Sequence, residues 1–441
     1  MTALDIGWIM LAAMLLLIWL GMHVGVALSL LSVVGVWLMR DNFVLAAKFL
    51  ALSAYDAIAN HIFGVVPLFV LMGLLISMSD IGRDMFQVAN QLLGRVRGGL
   101  GVATVAANAV FAAITGISIA SAAVFTKVAI PEMLKLGYTA RFATGVVAGS
   151  SVLGMLIPPS LLLIVYGFLA ETSIGSLFIA GIIPGLLLSL AFALLIVVLA
   201  KRFPAFVGAP KNVAGGVATD GGPPVGILSM APVVGLIVLV LGGIYGGFFT
   251  PTEAGAVGAL GALLLALGRQ RKKAPIGLPE YWRVLIETGH VTVSICFLLI
   301  AASIYTRMLG LAGIPQFLVG LIETADLGFA AFLAIYVLLI LVMGTVLDST
   351  SIMLVVLPLV LPIAQAFGAD LVWFGIVTVL AVEIGLLTPP LGIAVYVIKS
   401  TLNDPAIRLG DIFAGAAPFA AIMLAVLLLV IFFPWLSLAL L

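Results

Sequence analysis

The sequence Leu387-Thr388-Pro389-Pro390-Leu391 interrupts the apolar run 371–402 near its middle. A second double proline, in Ile157-Pro158-Pro159-Ser160, interrupts the run 140–171 in the same way. Proline removes a backbone donor and clashes with the preceding turn, so each pair breaks the α-helical hydrogen-bond ladder and frees carbonyl groups. Both runs are therefore predicted to be broken helices.

An internal repeat with an offset of 231 residues connects the two broken runs. The matched pairs at this offset are Ser118 with Ser349, Pro131 with Pro362, Gly154 with Gly385, and Pro158-Pro159 with Pro389-Pro390. Upstream of each double proline, small polar residues interrupt another apolar run, at Thr115-Gly116-Ile117-Ser118 in 100–133 and between Gly344 and Ser351 in 327–366. We expect each of these two runs to form a re-entrant helical hairpin.

The composition places the protein in a membrane. Of its 441 residues, 64% are hydrophobic and 8% are charged, with a mean hydropathy of +1.36. Soluble domains carry about 45–50% apolar and about 25% charged residues, so we expect an all-α polytopic membrane protein. The formal charge of +1 and the absence of an extended basic stripe exclude nucleic acid as a partner. The single cysteine, Cys296, excludes a disulfide framework within the chain.

Further apolar runs approach the roughly 20 residues that cross a bilayer. They are 4–39, 44–60, 64–79, 177–200, 227–247, 254–268, 284–309 and 411–438. The run 4–39 is too long for one upright helix and fits either one helix or two short ones. Only Asp5 is charged at its start, whereas signal peptides open with positive charge, so the N-terminus is interpreted as mature protein.

Basic residues orient these segments, because short cytoplasmic loops are rich in Lys and Arg. The clusters are Lys201, Arg202 and Lys211 before 227–247, and Arg269, Arg271, Lys272 and Lys273 after 254–268. The same side then receives Arg83, Arg95, Arg97, Lys135 and Arg141. The segment 311–326 and the C-terminus are predicted to lie outside the cytoplasm. Five crossings separate the hairpins, so the second repeat is predicted to be inverted, as in secondary transporters with sites at mid-membrane.

The repeats divide the chain into four predicted parts. These are N-terminal scaffold helices in 1–62, the first repeat in 63–200, cytoplasmic loops and scaffold helices in 201–283, and the second repeat in 284–441. The interruptions of the two repeats are predicted to converge, because interrupted backbone at membrane depth must be buried in protein or line a wet cavity.

Asp348 is the most informative candidate for an ion ligand. It is the single charge in the stretch 327–361 and adjoins Ser349, Thr350 and Ser351. A carboxylate at the bilayer centre costs about 2.5–3.5 kcal/mol and usually marks an ion pathway or a paired charge. The alternative is a carboxylate that caps the following helix, and both roles are compatible. Glu383 is interpreted either as a cation or proton ligand or as a buried neutral carboxyl group.

The residues at the tips and breaks supply hydroxyls and freed carbonyls, which are oxygen ligands of the kind that hard cations prefer. The predicted ion ligands are Asp348, Thr345, Ser349, Thr350, Ser118, Gly116, Thr388, Pro389 and Pro158. The residues predicted to contact a substrate are Thr115, Ser121, Ser160, Ser351, Pro159 and Pro390. Close helix packing by small polar residues, or a plain proline kink, is the alternative for each set.

Several longer motifs carry a family resemblance. They are Ile130-Pro131-Glu132-Met133, Leu156-Ile157-Pro158-Pro159-Ser160, Phe178-Ile179-Ala180-Gly181, Pro251-Thr252-Glu253-Ala254-Gly255 and Glu383-Ile384-Gly385-Leu386-Leu387-Thr388-Pro389-Pro390-Leu391-Gly392. With these motifs the sequence resembles the large membrane subunit of tripartite ATP-independent periplasmic (TRAP) transporters. Thr126-Lys127 and Ala394 depart from the family pattern.

The resemblance implies sodium-driven import of a small organic acid, such as a C4-dicarboxylate, across the bacterial inner membrane. It implies two protein partners, a periplasmic substrate-binding protein and a small four-helix membrane subunit. It also implies an elevator-type motion of the hairpin-bearing domain. Sodium is the only metal expected, as a coupling ion, and no cofactor is expected.

Two other functions remain open at this point. A stand-alone sodium and anion symporter would use the same site without partner proteins. An intramembrane hydrolase is disfavoured, because Thr115-Gly116-Ile117-Ser118-Ile119-Ala120 lacks the second glycine of a nucleophile elbow and the sequence contains no His-Glu-x-x-His motif. No Walker motif occurs either, which argues against ATP hydrolysis by this chain.

Overall fold

A computed structural model describes residues 1–59, 61–79, 81–94, 96–208, 226–269 and 277–441. These residues form α-helices, two short 3-10 turns and an isolated β-bridge between Tyr138 and Gly208. Six helices of the described part are long and apolar enough to cross a membrane, or up to eight spans if each of two bent helix pairs counts as one. The protein is a multi-pass, all-α membrane protein, as its composition predicts.

The N-terminal part contains five helices. They are α1 (Ala3–Trp19), α2 (Val24–Arg40), α3 (Phe43–Ala59), α4 (Val65–Met78) and α5 (Ile81–Leu93), with a 3-10 turn at His61–Gly64. The run 4–39 therefore forms two helices. Helix α5 was not expected, because its mixed apolar and polar sequence offers no continuous hydrophobic run to a search for membrane spans.

The matched part of the first repeat follows α5. Its helices are α6 (Gly99–Thr115), α7 (Ser118–Lys135), α8 (Ala140–Ser151), α9 (Leu153–Leu156), α10 (Leu161–Leu169) and α11 (Ile174–Arg202), and a short α12 (Pro204–Val207) comes next. The hairpin consists of α6 and α7. The broken helix consists of α8, α9 and α10, and it bends by 43° at the double proline.

The middle of the chain carries a 3-10 turn (Ile227–Met230) and four helices. These are α13 (Ala231–Tyr245), α14 (Pro251–Arg269), α15 (Leu278–Ala312) and α16 (Ile314–Thr324). Helix α16 occupies most of the segment 311–326, which the charge pattern places outside the cytoplasm. Helix α16 begins after Gly313, which adopts a left-handed φ of 77°, and has Pro315 in its first turn, where the missing proline donor costs no hydrogen bond.

The matched part of the second repeat follows α16. Its helices are α17 (Phe329–Gly344), α18 (Ser349–Ala366), α19 (Leu371–Gly385), α20 (Ile393–Leu402) and α21 (Leu409–Phe432), followed by α22 (Trp435–Leu438). Helix α18 begins and ends 231 residues after α7. The predicted span 411–438 is too long, because Pro434 cannot continue the helix and disfavours helical backbone at Phe433.

The contacts between the two repeats are symmetric: when a helix of the first repeat contacts a helix of the second, their counterparts in the other repeat also contact each other. The second hairpin arm α7 contacts α20, and its counterpart α18 contacts α10. Likewise α8 contacts α21, and α19 contacts α11. At the crossing of α8 and α21, a Cβ atom on Gly415 would lie 3.1 Å from the backbone nitrogen of Gly145. This crossing therefore requires residues as small as glycine.

Part of the charge pattern that orients the segments falls outside the described residues. These positions are Arg95, Lys211, Arg271, Lys272 and Lys273. Arg141, which the same pattern places in the cytoplasm, lies at the start of α8 and pairs with Asp411 at the start of α21, with Nε and Oδ1 2.8 Å apart. The start of a first-repeat helix thus meets the start of a second-repeat helix that is not its counterpart.

Candidate functional site

The first hairpin turns over two residues, Gly116 and Ile117, between α6 and α7. Gly116 adopts a left-handed φ of 63°, and a Cβ atom there would collide with the carbonyl oxygen of Pro159. The Leu161 amide donates to the Gly116 carbonyl at 3.1 Å. The first tip is therefore joined by its backbone to the first double proline.

The predicted ligands of the first repeat lie around this junction and are buried. Ser118 and Ser121 occupy the first turn of α7, and the Ser121 hydroxyl has no hydrogen-bond partner within the described residues. Thr115 Oγ1 donates to the Phe111 carbonyl at 3.0 Å. Ser160 donates to the Met155 carbonyl and caps α10. Pro158 and Pro159 are both buried in the same break.

Asn108 is a polar residue of this region that the sequence reasoning missed. It lies buried on α6, and its Nδ2 donates to Ser150 Oγ on α8 at 2.8 Å. Its Oδ1 has no protein partner among the described residues. A single Asn in the apolar run 100–133 was the available signal, since a buried amide in a membrane helix needs a partner.

The second hairpin turns over a longer segment, between Gly344 and Ser349. The Leu391 amide donates to the Thr345 carbonyl at 3.2 Å, so this tip is also joined by its backbone to its own double proline. Thr345 Oγ1 donates to the Val342 carbonyl at 2.8 Å, and Thr388 Oγ1 donates to the Gly385 carbonyl at 2.6 Å. Unlike their counterparts in the first repeat, Pro389 and Pro390 are exposed.

Asp348 caps α18, and it is exposed rather than enclosed. Its carboxylate accepts from the Ser351 amide at 3.1 Å and from the Ser351 hydroxyl. The same side chain lines a cavity of about 350 Å³ together with Thr350, and with His290 and Ser294 of α15. The capping role is therefore present, and the carboxylate also faces open space.

Glu383 is the buried carboxyl group of the second tip. It lies on α19 with 1% of its surface exposed, and Ser349 Oγ donates to its Oε1 at 3.0 Å. Its Oε2 has no protein partner among the described residues. A buried carboxylate oxygen without a hydrogen-bond donor is costly unless a proton or a cation satisfies it. The unpartnered oxygen of Glu383 thus favours a role as a cation or proton ligand more strongly than the sequence alone does.

The structure joins each tip to its own break, and the exchanged helix contacts bring the two halves into one packed body. Gly154 and Gly385 serve the same purpose in the two halves. A Cβ atom on Gly154 would lie 3.0 Å from the Ile117 carbonyl carbon, and one on Gly385 would lie 2.7 Å from Gly344 Cα. Both matched glycines therefore let a broken helix approach the backbone of a hairpin tip.

Comparison with known proteins gives a consistent family. Residues 11–436 match the model for "Tripartite ATP-independent periplasmic transporter, DctM component". The chain is 34% identical to the C4-dicarboxylate TRAP transporter large permease protein DctM of Pseudomonas aeruginosa, and the match covers 90% of each chain. It is 32% identical to the sialic acid TRAP transporter large permease protein SiaM of Vibrio cholerae, over 96% of each chain.

More distant similarity extends to other solutes and folds. The ectoine TRAP transporter large permease protein TeaC of Halomonas elongata is 30% identical over 98% of this chain and 97% of its own. Among solved structures, the Alcanivorax borkumensis YdaH transporter aligns with a TM-score of 0.59 at 14% identity over 91% of each chain. Neisseria gonorrhoeae MtrF gives 0.59 at 13%, covering 89% of this chain and 84% of its own. These two likenesses concern the fold alone.

Proposed function

The chain belongs to the DctM component family of tripartite ATP-independent periplasmic transporters, and on that basis we propose that it is the subunit through which a small organic acid enters the cytoplasm together with sodium. The observation that carries the proposal is the pair of tip-to-break junctions, Gly116 with Leu161 and Thr345 with Leu391. Each junction concentrates interrupted backbone and hydroxyl groups, as ion sites at mid-membrane require. Relatives named for C4-dicarboxylate, sialic acid and ectoine support solute transport rather than catalysis.

Two sodium sites follow from the repeat. At the first tip, Gly116 and Pro158 contribute carbonyl oxygens and Ser118 a hydroxyl. At the second tip, the ligands come from Asp348, Thr345, Ser349, Thr350, Thr388 and Pro389. Freed carbonyls and hydroxyls suit a hard cation, and the carboxylate of the second tip strengthens its site. We add Glu383 to the second set, because its free Oε2 points to a missing partner.

The substrate lies between the tips in this proposal. Its contacts are Thr115, Ser121, Ser160, Ser351, Pro159 and Pro390. Peptide dipoles and hydroxyls bind a carboxylate without a buried counter-charge, and sodium at both tips offsets the anion. Each net positive charge that moves inward through 100 mV releases about 2.3 kcal/mol, so excess sodium would drive accumulation.

The second repeat is inverted relative to the first in this proposal, and the chain ends in the periplasm. The exchangeable helix contacts support a two-fold relation between the repeats. The N-terminal helices and 201–283 would form a scaffold, against which the hairpin-bearing repeats 63–200 and 284–441 move as an elevator. Single cysteines test the inversion, and Val96 and Ala366 suit the purpose because both are exposed next to the open ends of the hairpins.

The topology test uses Val96→Cys and Ala366→Cys in a Cys296→Ser background. An impermeant thiol reagent applied to cells with a permeabilised outer membrane should label Ala366→Cys and spare Val96→Cys until the inner membrane is opened. Labelling of both sites, or of neither, from the outside would contradict an inverted pair. Gly99 and Gly368 are poorer positions, because a Cβ on Gly99 would lie 2.7 Å from the Leu93 carbonyl oxygen and Gly368 adopts a φ of 71°.

Two partners complete the transporter in this proposal, a small four-helix membrane subunit and a periplasmic substrate-binding protein. Liposomes that contain both membrane subunits should take up solute when a loaded binding protein and an inward sodium gradient are supplied. Liposomes with this chain alone should not take up free solute. Robust sodium-driven uptake by this chain alone would support the stand-alone symporter instead.

A further inference from the structure

Five polar residues form one continuous stripe along α15. They are Glu280, Arg283, Glu287, His290 and Ser294, and all five are exposed. Their spacing alternates between three and four residues, which places them on one face of a helix. At 1.5 Å per residue the stripe extends over about 21 Å, and Glu287, His290 and Ser294 fall within the predicted span 284–309. Charged side chains at that depth usually face water or protein rather than lipid.

Two cavities lie against this stripe. The first, of about 350 Å³, is lined by Glu280, Arg283 and Glu287 on one side and by Ala120 and Ala123 of α7 on the other. The second, also of about 350 Å³, has the further stripe residues His290 and Ser294 on one side and the second hairpin tip on the other. The stripe therefore connects the end of α15 that follows residue 277 with the tip that carries Asp348.

The polar character ends where the tip begins. One turn beyond Ser294 the same face continues with Phe297 and Leu298. If these polar residues served only to keep this face of α15 in contact with water, they would have no reason to end at the level of Asp348. Its end coincides with the candidate ion site.

The position of Lys127, a cation within a hairpin arm, is explained by its place on α7, which lies opposite the stripe. Lys127 is exposed on α7, one turn after Ala123 and Val124, so it lies on the α7 face that lines the first cavity. Ser77 of α4 adds a hydroxyl to this cavity, and its Oγ has no hydrogen-bond partner within the described residues. The cavity is thus lined by the Arg283 cation and the unpartnered Ser77 hydroxyl, and Lys127 lies one turn beyond the α7 residues that line it.

We propose that the α15 stripe and the α7 arm enclose the cytoplasmic release path of the transporter, a water-filled corridor for a small organic anion between the second tip and the cytoplasm. This inference rests on the proposed function and adds the route and its lining. Lys127 and Arg283 attract the anion, while Glu280 and Glu287 keep the attraction weak, because a path must bind its solute loosely enough to let it leave. No single residue of the corridor is expected to bind the anion tightly.

Cysteine accessibility tests the corridor without requiring transport. In a Cys296→Ser background, Glu287→Cys and Ser294→Cys report on the stripe. Leu285→Cys and Gly289→Cys are the matched controls, because both positions are exposed but lie on other faces of the same helix, and no atom lies within 4 Å of a Cβ added to Gly289. A charged, impermeant methanethiosulfonate reagent is applied to inside-out vesicles and, separately, to intact cells. Labelling after denaturation shows that every variant is present and reactive.

The stripe thiols should react from the cytoplasmic side at least about ten times faster than the controls, because the reacting thiolate forms in water and not in lipid. In an Ala123→Cys variant, Lys127→Gln should lower the preference for an anionic over a cationic reagent at least about threefold. Equally slow reaction of stripe and control thiols would overturn the corridor. Reaction from the outside alone would overturn cytoplasmic release. Failure of reconstituted uptake, with cytoplasmic labelling intact, would count against the proposed function and leave the corridor standing.

Discussion

The two hairpin tips share a backbone plan but differ in turn length, exposure and charge. The first tip turns over Gly116 and Ile117 and lies in buried surroundings, whereas the second turns over a longer segment in which Asp348 is exposed. At the offset of 231 residues, Ile117 matches Asp348 and Val152 matches Glu383. The two tips thus share their tip-to-break junctions, while the two carboxyl groups belong to the second tip.

The two tips are therefore expected to differ in how strongly they bind a cation. The first tip has peptide dipoles, hydroxyls and the Asn108 amide, which are uncharged groups that suit either a cation or an anion. The second tip has two carboxyl groups near Ser349, one in the cavity beside α15 and one buried. A carboxylate strengthens cation binding and makes it depend on protonation, so sodium dependence should be governed mainly by the second tip.

The largest effect is expected at the tight first tip. Gly116→Ala places a Cβ against the Pro159 carbonyl at a left-handed φ, so the tip and the break must separate. Sodium-driven uptake should fall about a hundredfold or more, equivalent to roughly 2.7 kcal/mol. Gly320→Ala is the matched control, because no atom lies within 4 Å of its added Cβ. Equal uptake by the two variants, at equal protein levels in the membrane, would show that the first junction is dispensable.

Removal of the exposed carboxylate is next in size. Asp348→Asn preserves an N-cap, since Asn caps helices as well as Asp, but it removes the charge. Uptake should fall at least about tenfold, which corresponds to roughly 1.4 kcal/mol, and the sodium concentration for half-maximal uptake should rise. Asp370→Asn makes the same change at the cap of α19, where the carboxylate accepts from the Val372 and Trp373 amides. If both variants transport like the wild type, Asp348 is only a cap.

The buried carboxyl group of the second tip should have a smaller, more specific effect. Glu383→Gln retains an acceptor for Ser349 and removes the ability to ionise. We expect about a fivefold rise in the sodium concentration for half-maximal uptake, in line with loss of one charge-assisted contact. Ser349→Ala in the same background should raise this concentration further, because the amide oxygen still accepts from the Ser349 hydroxyl, which is itself a proposed ligand. Unchanged sodium dependence in Glu383→Gln would assign Glu383 a packing role.

The smallest effect is expected for the unpaired hydroxyl of the first tip. Ser121→Ala removes a buried oxygen that has no protein partner in the described structure. A purely structural hydroxyl of this kind would leave uptake unchanged and raise thermal stability slightly, because an unsatisfied polar group would be lost. If the hydroxyl contacts the substrate, Ser121→Ala should raise the solute concentration for half-maximal uptake about threefold. Uptake kinetics and thermal unfolding of the purified subunit separate these outcomes.

The sequence by itself determined the class of the protein, its repeat and the positions of its breaks. Composition excludes a soluble fold, and each double proline breaks its helix wherever that helix lies, because the missing donor is a local property. The constant offset also predicts that α7 and α18 have matched bounds, as they do. The motifs gave the family, which the comparisons confirm. The interpretation of 4–39 as one helix or two was settled by the structure in favour of two.

Only the tertiary structure decided which of these residues meet and which are enclosed. Ser349 and Glu383 are 34 residues apart and Asn108 and Ser150 are 42 apart, so their hydrogen bonds depend on how whole helices cross. The stripe on α15 becomes informative only when α7 and the second tip lie against it. Sequence alone placed Asp348 at membrane depth but not beside an open cavity. Burial is a property of every neighbour in space, and the neighbours that enclose one tip and expose the other come from distant parts of the chain.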